Sequence, residues 1–133
     1  MRGSLTRRAV LAGAAAAPAF GRLARAAPAP KVLRAAPARV QIAPDGYGQT
    51  EVWAYNGTVP GEMLRYGQGD TLAVRLENAL EVDTTIHWHG LRLPNGMDGV
   101  PNVTQAPVRP GATFDYAFPL PDAGTFWYHP HTG

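Results

Sequence analysis

Cysteine is absent from all 133 residues, which excludes disulfide scaffolds, thiolate zinc sites, thiol nucleophiles and any copper centre that requires a Cys ligand. Long apolar runs are also missing. The longest small and apolar stretch, Ala9 to Phe20, is about twelve residues, rich in Ala and interrupted by Pro18; a helix needs ~20 apolar residues to span a bilayer, so no permanent membrane anchor is expected. Acidic residues are missing from the first 26 positions, which hold five of the twelve Lys and Arg side chains. The remainder carries seven basic against ten acidic residues. The formal charge of +2 and pI near 9.3 therefore belong to the N-terminus, and no nucleic-acid partner is expected. A chain of this length holds about one domain.

The basic N-terminus has the layout of an address. Ser4-Leu5-Thr6-Arg7-Arg8 places an arginine pair before the small, apolar run, and Ala24-Arg25-Ala26 offers a cleavage site. Residues 1–26 read as a twin-arginine export signal, which implies a periplasmic or secreted protein exported already folded.

Residues 27–49 read as an extended, proline-bearing leader joined to a first strand. Beyond it lie short β-rich segments: Glu51–Tyr55, ending at the turn pair Asn56-Gly57; Thr71–Asn78; Thr84–His89; Phe114–Phe118; and Thr125–Tyr128. In Thr71–Asn78 the residues Leu72, Val74 and Leu76 share one face, the pattern of a half-buried antiparallel strand. No body window longer than ten residues repeats at helical spacing. The expected fold is an all-β two-sheet sandwich. The last segment ends at the chain's most chemically loaded motif with no strand after it, so the sandwich is expected to be missing its last strand or strands, as in one piece of a longer protein.

All four histidines fall in two pairs of identical spacing, His87-Trp88-His89 and His129-Pro130-His131. Residues i and i+2 of a strand point to one face, so each pair projects two imidazoles together and turns the intervening residue away. Two such strands side by side present four imidazoles to one space. Imidazole suits copper, zinc, nickel and iron, and neither motif contains the carboxylate of a facial triad. Trp88, Trp127 and Tyr128 are expected to be core aromatics.

The segments Thr84–Leu91 with its His-Trp-His-Gly core, Met97-Asp98-Gly99-Val100-Pro101, Pro110-Gly111, Gly124–His131 with its His-Pro-His end, and Tyr55–Gly61 resemble the N-terminal cupredoxin-like domain of multicopper oxidases, laccases and bacterial copper-tolerance oxidases being the nearest groups. The resemblance covers nearly all of residues 50–133. It implies a cupredoxin-like Greek-key β-sandwich and copper as cofactor, in a trinuclear cluster of one type 2 and two type 3 ions. His87 would bind the type 2 ion, His89 and His129 one type 3 ion, and His131 the other. Asp98 matches an acidic residue that assists proton delivery to oxygen; on local grounds alone it is a turn residue. The implied reaction reduces dioxygen to water while a small-molecule or metal-ion reductant is oxidised one electron at a time. Family members use eight histidines at the cluster and a type 1 copper held by Cys and His in a C-terminal cupredoxin domain. This chain supplies four histidines and no Cys, so alone it is expected to be inactive. Two other readings compete: a short periplasmic copper carrier or buffer, and a zinc hydrolase with Asp98 or Asp115 as base.

Overall fold

The computed structural model describes residues 29–131; the export signal expected over residues 1–26 lies outside them. Among the described residues six strands carry the fold: β1 (Lys31–Val40), β2 (Thr50–Tyr55), β3 (Thr71–Asn78), β4 (Thr85–His89), β5 (Thr113–Pro119) and β6 (Trp127–His131). One 3-10 turn among the described residues, Asn95–Met97, precedes Asp98 and Gly99. Among the described residues no helix is long and apolar enough to cross a membrane.

The strands form a four-stranded sheet in the order β2-β1-β3-β5 and a two-stranded ladder, β4-β6. Period-two alternation decides which face turns inward. Leu33 and Ala35 of β1, Leu72, Val74 and Leu76 of β3, and Tyr116 and Phe118 of β5 are buried, while Arg34, Asp115 and Ala117 between them are exposed. The strand expected at Thr71–Asn78 is there, but only one of its two pairings is antiparallel: β3 runs antiparallel to β5 and parallel to β1. The reason is that β1 occupies an interior position. Its first half, Lys31–Ala35, pairs with β3 and its second half, Ala35–Val40, which contains Pro37, pairs with β2.

The Asn56-Gly57 turn forms as its residue types dictate, with φ of 52° and 73°, a left-handed pair that Asn and Gly adopt at least cost. The Asn56 side chain then extends the ladder past the end of β2, its Oδ1 accepting from Arg34 N at 2.9 Å and its Nδ2 donating to Val32 O at 3.0 Å. Asn78, at the end of β3, does comparable work inside the protein. Its Nδ2 donates to Val82 O and Val108 O, both at 2.8 Å, and its Oδ1 accepts from Leu80 N at 3.0 Å. These bonds shape the link that delivers the chain from β3 into β4.

Trp88 joins the two layers. It lies edge-on to Tyr116 and Phe118, with ring centroids 5.3 and 5.7 Å away, and tilts against Tyr128 of its own ladder at 5.8 Å. Tyr116 adds a polar tie: its hydroxyl accepts from Ile86 N at 2.9 Å. Burial pushes the Tyr116 phenol pKa up to about 12, so the hydroxyl stays neutral. Tyr116→Phe leaves the Ile86 N–H without that acceptor in a fully buried site, and an unsatisfied buried donor costs about 1–3 kcal/mol. We expect a loss in that range by urea unfolding; a loss under about 0.5 kcal/mol would show that the hydroxyl carries no such weight.

Candidate metal centre

The β4-β6 ladder pairs Thr85 with His131, His87 with His129, and His89 with Trp127. Odd-numbered residues of both strands turn to the same face, so all four imidazoles share it. Even-numbered Ile86, Trp88 and Tyr128 turn to the core. His87 is central: its ring lies 5.5 Å from that of His89, 5.2 Å from that of His129 and 5.4 Å from that of His131. His129 and His131 stack at 5.2 Å. One nitrogen each of His87, His89 and His129 falls within 4.8 Å of the other two, a span that can close on a metal ion.

Two rings have a defined tautomer. His87 Nδ1 is 2.7 Å from Asp98 O, and His129 Nδ1 is 3.1 Å from Pro130 O. A carbonyl oxygen only accepts, so each Nδ1 carries the proton and each Nε2 keeps its lone pair free for a metal. His131 is held below the ordinary imidazole pKa by burial first and then by the neighbouring His129 and His87, with Asp98 opposing. Protons therefore compete less for its nitrogen.

Asp98 follows the 3-10 turn, and its carboxylate Oδ1 lies 3.5 Å from His87 Nδ1, farther than its own main-chain oxygen. Asp115 is elsewhere. It sits on β5 opposite Arg75, bonded to the guanidinium by 2.6 and 2.7 Å contacts, and this pairing holds its carboxyl below the usual range. It is engaged away from the histidine ladder, which removes it as a base acting there.

Trp127 is not the core residue expected. It is 57% exposed and stacks on His89 at 4.7 Å and against His129 at 4.4 Å. Its position follows from parity, since residues 127, 129 and 131 share a face. Trp88 is buried and Tyr128 packs on the core, as expected. A groove of about 920 Å³, walled by Tyr55, Leu64, Leu72, Trp88, Leu120 and Tyr128, lies toward the core side of the ladder. Its walls are mainly apolar and only one histidine, His129, reaches it, so the imidazole face rather than this groove is the candidate centre.

Sequence reasoning missed Thr85 and Gly99. The Thr85 hydroxyl donates to Gly99 O, and Gly99, at φ 82°, lies so close to β4 that a Cβ would fall 1.8 Å from Ile86 O. The Asp98-Gly99 pair signalled a turn, but nothing local signalled that the turn packs on a strand ten residues earlier.

A β-sandwich presenting four imidazoles on one strand ladder, with no thiolate, defines a metal-binding domain whose donors suit copper among other transition metals. The family profile described as multicopper oxidase matches residues 37–133, and the chain belongs to that family. It is 48% identical over 80 residues to copper resistance protein A of Pseudomonas syringae pv. tomato, covering 60% of this chain and 13% of that protein. It is 39% identical over 125 residues to multicopper oxidase MmcO of Mycobacterium tuberculosis, covering 94% of this chain and 23% of that protein. Among solved structures, Lac15 from a marine microbial metagenome superposes with a TM-score of 0.75 at 48% identity, covering 77% of this chain and 27% of that one. The fold is thus cupredoxin-like, as expected. The chain spans 13% of the length of the copper resistance protein. Copper is the metal of this family, and an all-imidazole donor set with two free Nε2 lone pairs fits it.

Proposed function

We propose that the chain supplies half of a trinuclear copper site at which dioxygen is reduced to water while a small-molecule or metal-ion reductant is oxidised one electron at a time. In this reading residues 1–26 direct export by the twin-arginine route to the periplasm or beyond, residues 27–49 lead into the domain, and residues 50–133 carry the ligands. His87 is the type 2 ligand, His89 and His129 share one type 3 ion, and His131 serves the other. Asp98 is the proton-delivering carboxylate. The remaining ligands and the Cys-bearing type 1 centre would come from a C-terminal cupredoxin domain. The single observation that carries this reading is the His87-His129 register, which gathers all four rings of the chain on one face.

Copper bound here supplies one-electron redox chemistry and a place for oxygen to bind. The chain's own part is positional. His87 and His129 spend their Nδ1 protons on carbonyl oxygens and present Nε2. Trp127 covers the outer side of His89 and His129 with its indole plane. In this reading the Asp98 carboxylate passes a proton from solvent toward the imidazole face; its 30% exposure and its Oδ1 at 3.5 Å from His87 Nδ1 support that role.

The test is a copper titration of the 133-residue chain, read by calorimetry and electron paramagnetic resonance, with oxygen uptake followed on a phenolic or cuprous reductant. Copper is expected to bind, and the double variant His87→Ala/His129→Ala is expected to lose more than about 100-fold in affinity, since even outer partners of metal ligands are worth 10–100-fold. No oxygen uptake is expected from the chain alone. Uptake by the isolated chain would refute the half-site reading; copper binding without oxygen reduction by the protein joined to a Cys-bearing domain would favour a carrier or buffer. Zinc-dependent hydrolysis would favour the hydrolase.

A further inference from the structure

We propose that Thr85 is a positioning residue for the metal centre: its hydroxyl, bonded to the Gly99 carbonyl, holds the Met97–Gly99 turn so that the Asp98 main-chain oxygen fixes the tautomer of His87. Thr85 and His87 lie two residues apart on β4 and turn to the same face, where both meet that turn. Thr85 is fully buried there and donates to Gly99 O; His87, 19% exposed, donates Nδ1–H to Asp98 O at 2.7 Å. The two bonds grip consecutive carbonyls. Gly99 makes the grip possible, because any side chain at that position would meet the main chain of Ile86 and His87.

The main-chain oxygen, not the carboxylate, decides the tautomer. Asp98 Oδ1 stands 3.5 Å from Nδ1, at the limit of a hydrogen bond, against 2.7 Å for Asp98 O. An unconstrained histidine in water favours the proton on Nε2, which is the nitrogen the shared face needs free. One net hydrogen bond shifts such a ratio roughly fivefold to tenfold, so a turn that drifts from β4 lets His87 revert to the form whose metal-facing nitrogen is blocked. The purpose of the clamp rests on the copper reading above, but its existence does not.

Long-range nitrogen–proton correlation spectra of the metal-free 133-residue chain, labelled at histidine, test this directly. The measurement is made at about pH 8.5, above the ordinary imidazole pKa of about 6.5, with the His87 signals assigned by their loss in His87→Gln. The wild type, Thr85→Ser and Asp98→Ala are expected to hold His87 as Nδ1–H. Thr85→Val, which keeps the shape and loses the hydroxyl, is expected to move at least about fivefold toward Nε2–H and to bind copper about 10–100-fold more weakly. An Nε2–H tautomer in the wild type, a folded Thr85→Val with the wild-type ratio, or a shift in Asp98→Ala would each overturn the proposal. Should Thr85→Val not fold, the wild-type and Asp98→Ala spectra still decide between the main-chain clamp and the carboxylate. A wild-type chain with the Nδ1–H tautomer that takes up no copper would count against the copper reading and leave the clamp in place.

Discussion

Gly99→Ala is expected to cost about 3–4 kcal/mol and to release His87 Nδ1 from the Asp98 main-chain oxygen. Two contributions add. Alanine at φ 82° carries left-handed strain of roughly 1–2 kcal/mol. The new methyl would also lie 1.8 Å from Ile86 O, 2.5 Å from Ile86 C and 2.9 Å from His87 N. Those atoms are main chain in a paired strand and cannot rotate aside, so the turn must lift from β4. Lifting it breaks Thr85 Oγ1 to Gly99 O and His87 Nδ1 to Asp98 O, each worth about 1 kcal/mol net. Gly96→Ala is the control, because that glycine lies in the same turn with open space around it; it should stay within about 0.5 kcal/mol of wild type. Urea unfolding of the three proteins measures the difference. Equal losses at both positions would mean that the turn does not pack on β4.

The contrast between those two glycines shows where sequence reading stops. Leu72, Val74 and Leu76 alternate so cleanly that β3 is legible from five residues, and the shared parity of His87, His89, His129 and His131 sufficed to put their rings together once two strands paired. That parity also placed Trp127 on the histidine face, although a Trp beside a Tyr reads first as core. By contrast, the interior position of β1 and its parallel pairing with β3 depend on contacts across some forty residues of chain, which no local pattern carries. Met97-Asp98-Gly99 announces a turn by composition, and its packing against Thr85 and Ile86 is a tertiary fact. For the same reason Asp98 read locally as a turn residue and came to the site only through the family resemblance, while its main-chain oxygen, the atom that bonds His87 at the shorter distance, was not legible at all.

The histidine face and the core face are two sides of one strand, so the site inherits its rigidity from packing on the other side. Trp88 lies between the two β4 histidines in sequence and points the opposite way, into Tyr116, Phe118 and Tyr128. It is 2% exposed. Trp88→Ala removes this wedge between the sheets, and truncating a buried Trp to Ala typically costs about 3–5 kcal/mol through lost transfer energy and the cavity left behind. That is a large part of the roughly 5–15 kcal/mol that holds a domain together. Trp88→Phe keeps a ring against Tyr116 and Phe118 and should lose about half as much or less. The ladder is also where the loss should reach function. Among the described residues β4 and β6 pair only with each other, so once Trp88 no longer packs β4 on the four-stranded sheet, the His87-His129 register leans on the ladder bonds, the Tyr116–Ile86 tie and the turn at Asp98-Gly99. We therefore expect copper affinity in Trp88→Ala to fall together with stability, and in Trp88→Phe to stay near wild type. Urea unfolding and copper titration of both variants measure this pair of effects. A Trp88→Ala protein that lost less than about 1 kcal/mol would place the indole outside the core, and one that lost stability yet bound copper normally would show that the four imidazoles are held by something other than the packing beneath them.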